Sequence, residues 1–312
     1  METPPPTFKL TLHDSCSRTV AKPTWIASVL LLFQLNNLSA KIVSDEVGRK
    51  VELPDNPQRI VSLAPSITET LFALGLEKRI AGVTDFCNFP EAAKLKPHVG
   101  GIINPNLERI IALKPDLLLV TTEANKAEIL TQMKKFQIPV FATSPRSIEG
   151  VFQSILLLGE ATNTREQAQK LVDQLQGRRQ RVMDKVKELH RPRVLILYDL
   201  NPIVAGGRHT YPTDLIQSAG GTSITAELEQ DWPRLNIEYV IKKDPEIIFV
   251  TEMPSALSGP TALSALSGWK LTSAVKHNKI YLLDDRVNHP SPRIIEALEL
   301  LAARIHPDRF EK

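Results

Sequence analysis

The sequence predicts an α/β protein: two doubly wound α/β lobes with parallel sheets, joined by a single long rigid helix, with a ligand cleft between the lobes. Three observations carry that prediction. Short apolar strand patterns alternate with helical patterns on both sides of the middle of the chain, the order that produces covered parallel sheets. An amphipathic stretch of about 27 residues, Thr164 to His190, separates the two alternating regions and would span about 40 Å as a helix. Finally, the segment Asn106 to Thr121 returns without a gap at Asn236 to Thr251, with Asn, Glu, Pro, Val and Thr coinciding and an acid at both 116 and 246. A single repetition is too little for a solenoid and fits two equivalent lobes.

The chain opens with a leader, residues 1–40. Basic Lys9, Arg18 and Lys22 precede the apolar run Trp25 to Phe33, and small residues end it at Leu38-Ser39-Ala40. That order is the pattern of a secretory signal peptide, and the apolar run falls short of the roughly 20 residues of a membrane span. Export to the periplasm is expected, with cleavage near Ala40, or a membrane tether if the leader stays. A polar segment, 41–58, follows.

The N-terminal lobe is placed at 59–160. Arg59 to Ala64 predicts a strand, and Ser66 with Glu69 gives a capping box that opens a helix stopped by Gly75. Next come a strand at Ala81–Asp85, a helix at Leu107–Leu113, a strand at Leu117–Thr121, a helix at Lys126–Phe136 and a strand at Val140–Thr143. A helix from Ser147 to Leu158 is expected to end at Gly159. The bridging helix, 161–191, buries Ala168, Leu171, Leu175, Val182, Val186 and Leu189 at three- and four-residue steps. Its other face mixes Arg178, Arg179 and Lys185 with Asp173, Asp184 and Glu188, a solvated face rather than an anion-binding stripe.

The C-terminal lobe, 192–312, repeats the alternation. Strands are expected at Val194–Tyr198, Ile247–Thr251 and Ile280–Leu283. Helices are expected at Pro212–Ala219, at Leu263–Val275, and from Ser291-Pro292 to Ile305, with proline at the first helical position.

Composition narrows the function. With 312 residues, 42% hydrophobic and 23% charged, the chain can bury a large core. A net charge of +3 with interspersed signs offers no basic face for nucleic acid. Neither a Walker loop nor Gly-x-Gly-x-x-Gly is present, nor are Gly-x-Ser-x-Gly or His-Glu-x-x-His, so nothing marks a catalytic set and no enzyme is expected. Seven histidines are scattered singly; a metal cage from His98, His209 and His289 would need three distant loops to converge, and no metal site is assigned. Cys16 precedes the apolar run, where it cannot serve as the lipid-bearing cysteine that follows such a run. Cys87 reads as a small buried hydrophobe.

Four motifs in order carry a family resemblance: Arg59-Ile-Val-Ser-Leu-Ala-Pro-Ser-Ile-Thr-Glu-Thr-Leu-Phe-Ala-Leu-Gly75, Asn106-Leu-Glu-Arg-Ile-Ile-Ala-Leu-Lys-Pro-Asp116, Trp232-Pro233 and Ser291-Pro-Arg-Ile294. From about Arg59 to Pro307 the chain resembles the periplasmic cobalamin and iron-chelate binding proteins of ABC importers, whose ligands are vitamin B12, ferric siderophores or haem. The resemblance implies a monomeric binding protein, with no permanently bound cofactor, that delivers a transported chelate to a permease dimer and its ATPase subunits. It places Glu108 and Glu238, one per lobe, in arginine pockets of the permease; as first-turn acids they would also gain about 0.3–1 kcal/mol from their helix N-termini. By the same resemblance Phe86, Ile102, Tyr198, Trp232, Asp285 and His289 line the ligand cleft. Phe86 and Ile102 stand where the vitamin B12 binders have aromatic clamp residues, as does Thr121, and His289 replaces an arginine. A corrinoid is the expected ligand. A ferric siderophore, for which Arg208, Arg286 and Arg293 are the nearest cations, or a haem, with His289, His209, Tyr198 and Tyr211 as axial candidates, is the alternative. A nitrogenase-like or chelatase-like enzyme and a ligand sensor are further alternatives on such a fold.

Overall fold

The structure is a computed structural model that describes Met1 and residues 40–251, 263 and 265–310. The expected signal peptide, with Cys16, therefore lies outside the described residues apart from Met1 and Ala40. Ser39–Lys312 forms one compact unit. Among the described residues no helix is long and apolar enough to cross a membrane.

The segment expected to be merely polar, 41–58, instead holds a hairpin: β1 (Ala40–Ser44) pairs antiparallel with β2 (Lys50–Pro54). Its turn is organised by Asp45, whose carboxylate accepts the Val47 and Arg49 amides at 3.2 and 2.8 Å. The hairpin was hidden in the sequence because it buries few side chains. Val43 and Leu53 enter the core, whereas Ile42 is 70% exposed.

The N-terminal sheet is wholly parallel, in the order β4 (Ile80–Val83), β3 (Ile60–Ser62), β5 (Leu117–Thr121), β6 (Val140–Thr143). Every residue of β5 and β6 is buried, as strands covered on both faces require. The C-terminal sheet is built on β7 (Arg193–Leu200), with β8 (Ile203–Ala205), β9 (Thr222–Ser223), β10 (Arg234–Leu235), β11 (Ile247–Thr251) and β12 (Ile280–Leu283). β9 and β11 run parallel to β7, and β12 parallel to β11. β8 and β10 add an antiparallel edge to the expected parallel sheet, because the two-residue turn Asn201-Pro202 sends the chain straight back along β7.

The helices are α1 (Pro65–Ala73), α2 (Leu107–Ala112), α3 (Glu128–Lys134), α4 (Ile148–Thr162), α5 (Arg165–Val186), α6 (Tyr211–Ser218), α7 (Ile237–Lys243), α8 (Ser273–Lys276), α9 (Ile294–Ile305) and α10 (Pro307–Phe310). Five of them correct the sequence. Ser66 does not cap α1: Pro65 takes the first position after Ala64, and Glu69 turns away from the helix end. Gly75 does end α1, at φ 75°, with the Leu76 amide reaching back to the Leu71 carbonyl at 2.9 Å.

α4 runs through Gly159 and ends at Asn163, which takes the left-handed turn at φ 59°. Gly159 serves packing: a Cβ there would lie 2.4 Å from the Ala168 Cβ, so its absence lets α4 and α5 touch. The bridging helix α5 has 22 residues, about 33 Å, and stops short of His190. The helix expected over Leu263–Val275 is broken at Thr272, whose extended backbone separates a single turn, Trp269–Leu271, from α8. α9 begins at Ile294 rather than Ser291; the Ser291 hydroxyl donates to Glu69 at 2.5 Å and accepts the Arg293 amide at 3.2 Å just before the helix.

One apolar cluster runs from the hairpin through α1, α4 and α5 to β7 and α9, with a satellite cluster on each sheet. The sequence repeat is repeated in three dimensions. Asn106 accepts the Arg109 amide at 3.0 Å and Asn236 the Tyr239 amide at 2.8 Å, each opening a short helix. The carboxylates of Asp116 and Glu246 accept the amides of Arg59 and Arg193, both at 2.9 Å. Those arginines in turn cap the carbonyl ends of α2 and α7, Arg59 at Leu113 and Arg193 at Asp244.

Candidate functional site

On the C-terminal side of the cleft, β7 supplies Tyr198, α6 supplies Tyr211 and the loop before β10 supplies Trp232. The Trp232 indole is 38% exposed and meets both phenols edge-on, at centroid distances of 5.1 and 6.2 Å. Such edge contacts fix a ring's orientation while leaving one face free. Tyr198 donates its hydroxyl to the Val287 carbonyl at 3.2 Å, and Tyr211 to the Asn288 carbonyl at 3.1 Å. These two bonds pin the turn that carries Asp285 and leads to His289. Burial pushes both phenols well above their usual range, and the Glu123 carboxylate adds to the effect. His289 is held towards its neutral form by burial, with Asp285 opposing.

Asp285 pairs with Arg293 at 3.2 Å. The Arg293 guanidinium also lies 4.0 Å from the Phe89 ring centroid and 3.4 Å from Glu69, both in the N-terminal half. Tyr198, Trp232, Asp285 and His289 thus form one connected group. Phe86 and Ile102 form a different wall, on the N-terminal side. Phe86 is 56% exposed beside the Gly100–Gly101 turn, and the Ile102 carbonyl accepts Asn125 Nδ2 at 2.8 Å. Asn125 also accepts the Thr121 amide at 2.7 Å, tying that loop to the end of β5, where Thr121 is buried.

The two sides meet at residues that the sequence reading passed over. Arg146, three residues past β6, pairs with Asp231 beside Trp232 at 2.5 Å. Glu123, two residues past β5, lies within the field of both groups and of the two tyrosines; the protein around it raises its carboxyl, Arg146 lowers it and Asp231 raises it further. The available signal was position. Both residues follow the carboxyl ends of parallel strands, where α/β proteins place their ligands.

The candidate histidines do not converge. His98 faces Asp85 at 3.2 Å, His209 faces Glu229 at 3.3 Å and His289 faces Asp285. Among the described residues no group of three or more His, Cys, Asp or Glu is set to hold a metal ion. Cys87 is 1% exposed between the hydroxyls of Thr68 and Thr84, at 3.1 and 3.2 Å, and burial pushes its thiol up. Glu108 and Glu238 are both exposed in the first turns of α2 and α7, at matching positions of the repeat.

Two covered, largely parallel sheets joined by a bridging helix give a two-lobed α/β architecture. The sequence profile of the periplasmic binding protein family matches residues 60–287, and the chain belongs to that family. It is 31% identical over 278 residues to an uncharacterised ABC transporter substrate-binding lipoprotein of Bacillus subtilis, covering 86% of this chain and 87% of that protein. It is 28% identical over 279 residues to a vitamin B12-binding protein of Yersinia pseudotuberculosis, covering 89% and 92%. Among solved structures, a periplasmic haem-binding protein from a Roseiflexus species in its apo form superposes with a TM-score of 0.73 at 27% identity, covering 81% of this chain and 99% of that one.

Proposed function

We propose that this chain is the exported substrate-binding component of an ABC importer, and that it captures a corrinoid against the Trp232 face and delivers it to a permease dimer. The observation that carries this reading is the ring group: a half-open indole braced by the half-buried Tyr198 and the buried Tyr211, whose hydroxyls are spent on backbone carbonyls. A flat macrocycle edge can lie on such a surface, with Asp285 accepting from its peripheral amides. In the haem alternative either phenol would have to give up its hydrogen bond to the Val287 or Asn288 carbonyl before it could reach iron. His289, held neutral, is the residue that keeps an axial-ligand reading open for haem or cobalt.

Glu108 and Glu238 fit docking. They are exposed, one per lobe, and each extends from the start of a short helix capped by its own Asn. Arginines on two permease subunits would recognise two such carboxylates as a pair. The test is a titration with cyanocobalamin followed by tryptophan fluorescence and calorimetry. One-site saturation with a quench lost in Trp232→Phe supports the reading, and neither heat nor a Trp232-dependent quench refutes the corrinoid.

A further inference from the structure

An anionic chelate, such as a porphyrin with free carboxylates or a tris-catecholate iron complex, needs an unengaged cation to receive it. The arginines around this cleft are engaged. Arg208 pairs with Glu229, and Arg286 with both Asp284 and Glu296. Arg293 lies between Glu69 and Asp285 at 3.4 and 3.2 Å. Arg146, which sits where the two sides meet, is bound to Asp231 at 2.5 Å and flanked by Glu123. At that point one guanidinium faces two carboxylates.

Building on the metal-chelate reading, we infer that Glu123, Arg146 and Asp231 form a charge-selecting gate across the cleft, which admits uncharged or cationic chelates and turns away anionic ones. Two physical effects act together. An incoming carboxylate or catecholate meets like charge from Glu123 and Asp231, both open enough to solvent for added salt to screen the repulsion. The Arg146 guanidinium, bonded to Asp231 through Nη1, is already partly neutralised, which weakens its attraction for an incoming anion. An uncharged ligand parts the lobes without leaving its own charge unpaired. The gate therefore discriminates by making the wrong ligand pay in repulsion, rather than by contacts to the right one.

The experiment measures the affinities of the full chain for cyanocobalamin, which is uncharged overall, and for ferric protoporphyrin, which carries two propionates. Both are titrated against the wild type, against Glu123→Gln/Asp231→Asn and against Arg146→Gln. In the double variant the guanidinium is released, and the ratio of porphyrin to cyanocobalamin affinity should rise at least tenfold, with the gain shrinking as salt is raised. Arg146→Gln removes the guanidinium but leaves both carboxylates, so the ratio should not rise, and it checks that loss of the cross-cleft ion pair is not itself the cause. A wild type that binds cyanocobalamin, with a ratio unchanged in the double variant, overturns the gate alone. An equal rise in both variants also overturns it, since opening rather than charge would then explain the change. If neither ligand binds any of the three proteins, the metal-chelate reading falls and the gate with it.

Discussion

Glu69 gives the most quantitative expectation. It is a helix residue only 5% exposed, at the edge of a cavity of about 370 Å³ that it shares with Phe72, Phe89, Leu171 and Leu175. Its carboxylate accepts from Ser291 at 2.5 Å and from Arg293 at 3.4 Å, and Asp285 and Cys87 are its other titratable neighbours. Burial pushes the carboxyl up from 4.5 to about 7, against the opposing pull of Ser291 and Arg293. The folded state therefore holds the Glu69 proton more tightly than the unfolded chain does. That advantage is complete below the unfolded value and is lost as pH rises from about 4.5 to about 7. At 1.36 kcal/mol per pH unit, the loss is about 3 kcal/mol. Glu69→Gln keeps an acceptor for Ser291 but cannot ionise. Urea unfolding of both proteins at pH 4.5 and pH 8 should show the variant gaining about 3 kcal/mol relative to wild type across that interval. A stability difference that stays constant with pH would refute the assignment of a buried, proton-holding carboxyl.

Other expectations follow from single contacts. Gly159→Ala should destabilise the chain by about 1–3 kcal/mol, read in urea unfolding, because the added Cβ meets Ala168 at 2.4 Å and two helices must part. Asn106→Ala and Asn236→Ala should each cost about 0.5–2 kcal/mol in the same assay, as each removes the one side-chain cap of its short helix. Charge reversal of Glu108 and Glu238 together should abolish stimulation of the transporter ATPase in reconstituted vesicles while cyanocobalamin still binds; loss of ligand binding instead would sink the docking role.

What the sequence revealed, and what it hid, follows the physics of each element. β5 and β11 were placed to the residue because strands covered on both faces must be apolar throughout, and a run such as Leu117 to Thr121 has few other uses. The β1–β2 hairpin and the short strands β8, β9 and β10 were invisible, since strands of two to five residues are too short to carry a periodic signature. Gly159 and Ser66 misled for a related reason. A glycine reads as a stop and a serine as a cap only while neighbours in space are ignored; here Ala168 explains the glycine, and Pro65 outranks the serine. The ring group was legible one residue at a time, yet the gate was not, because Arg146 and Asp231 lie 85 positions apart and meet only when two sheets face each other.

The repeat links these observations. A duplicated unit supplies each half with the same arginine-and-acid clasp, Arg59 with Asp116 and Arg193 with Glu246, and the same Asn-capped helix start. The clasps fix the base of each sheet, so both halves present an exposed glutamate in the same local setting. The proposed gate draws on residues outside the repeated segments 106–121 and 236–251: Arg146 and Glu123 come from one half, and Asp231, beside Trp232, from the other. On the proposed docking and gating, symmetry persists where two like carboxylates would meet two like subunits, and is lost where a single ligand would be told from its relatives. A binding protein whose partner is a symmetric dimer and whose cargo is not has reason to divide its surface in that way.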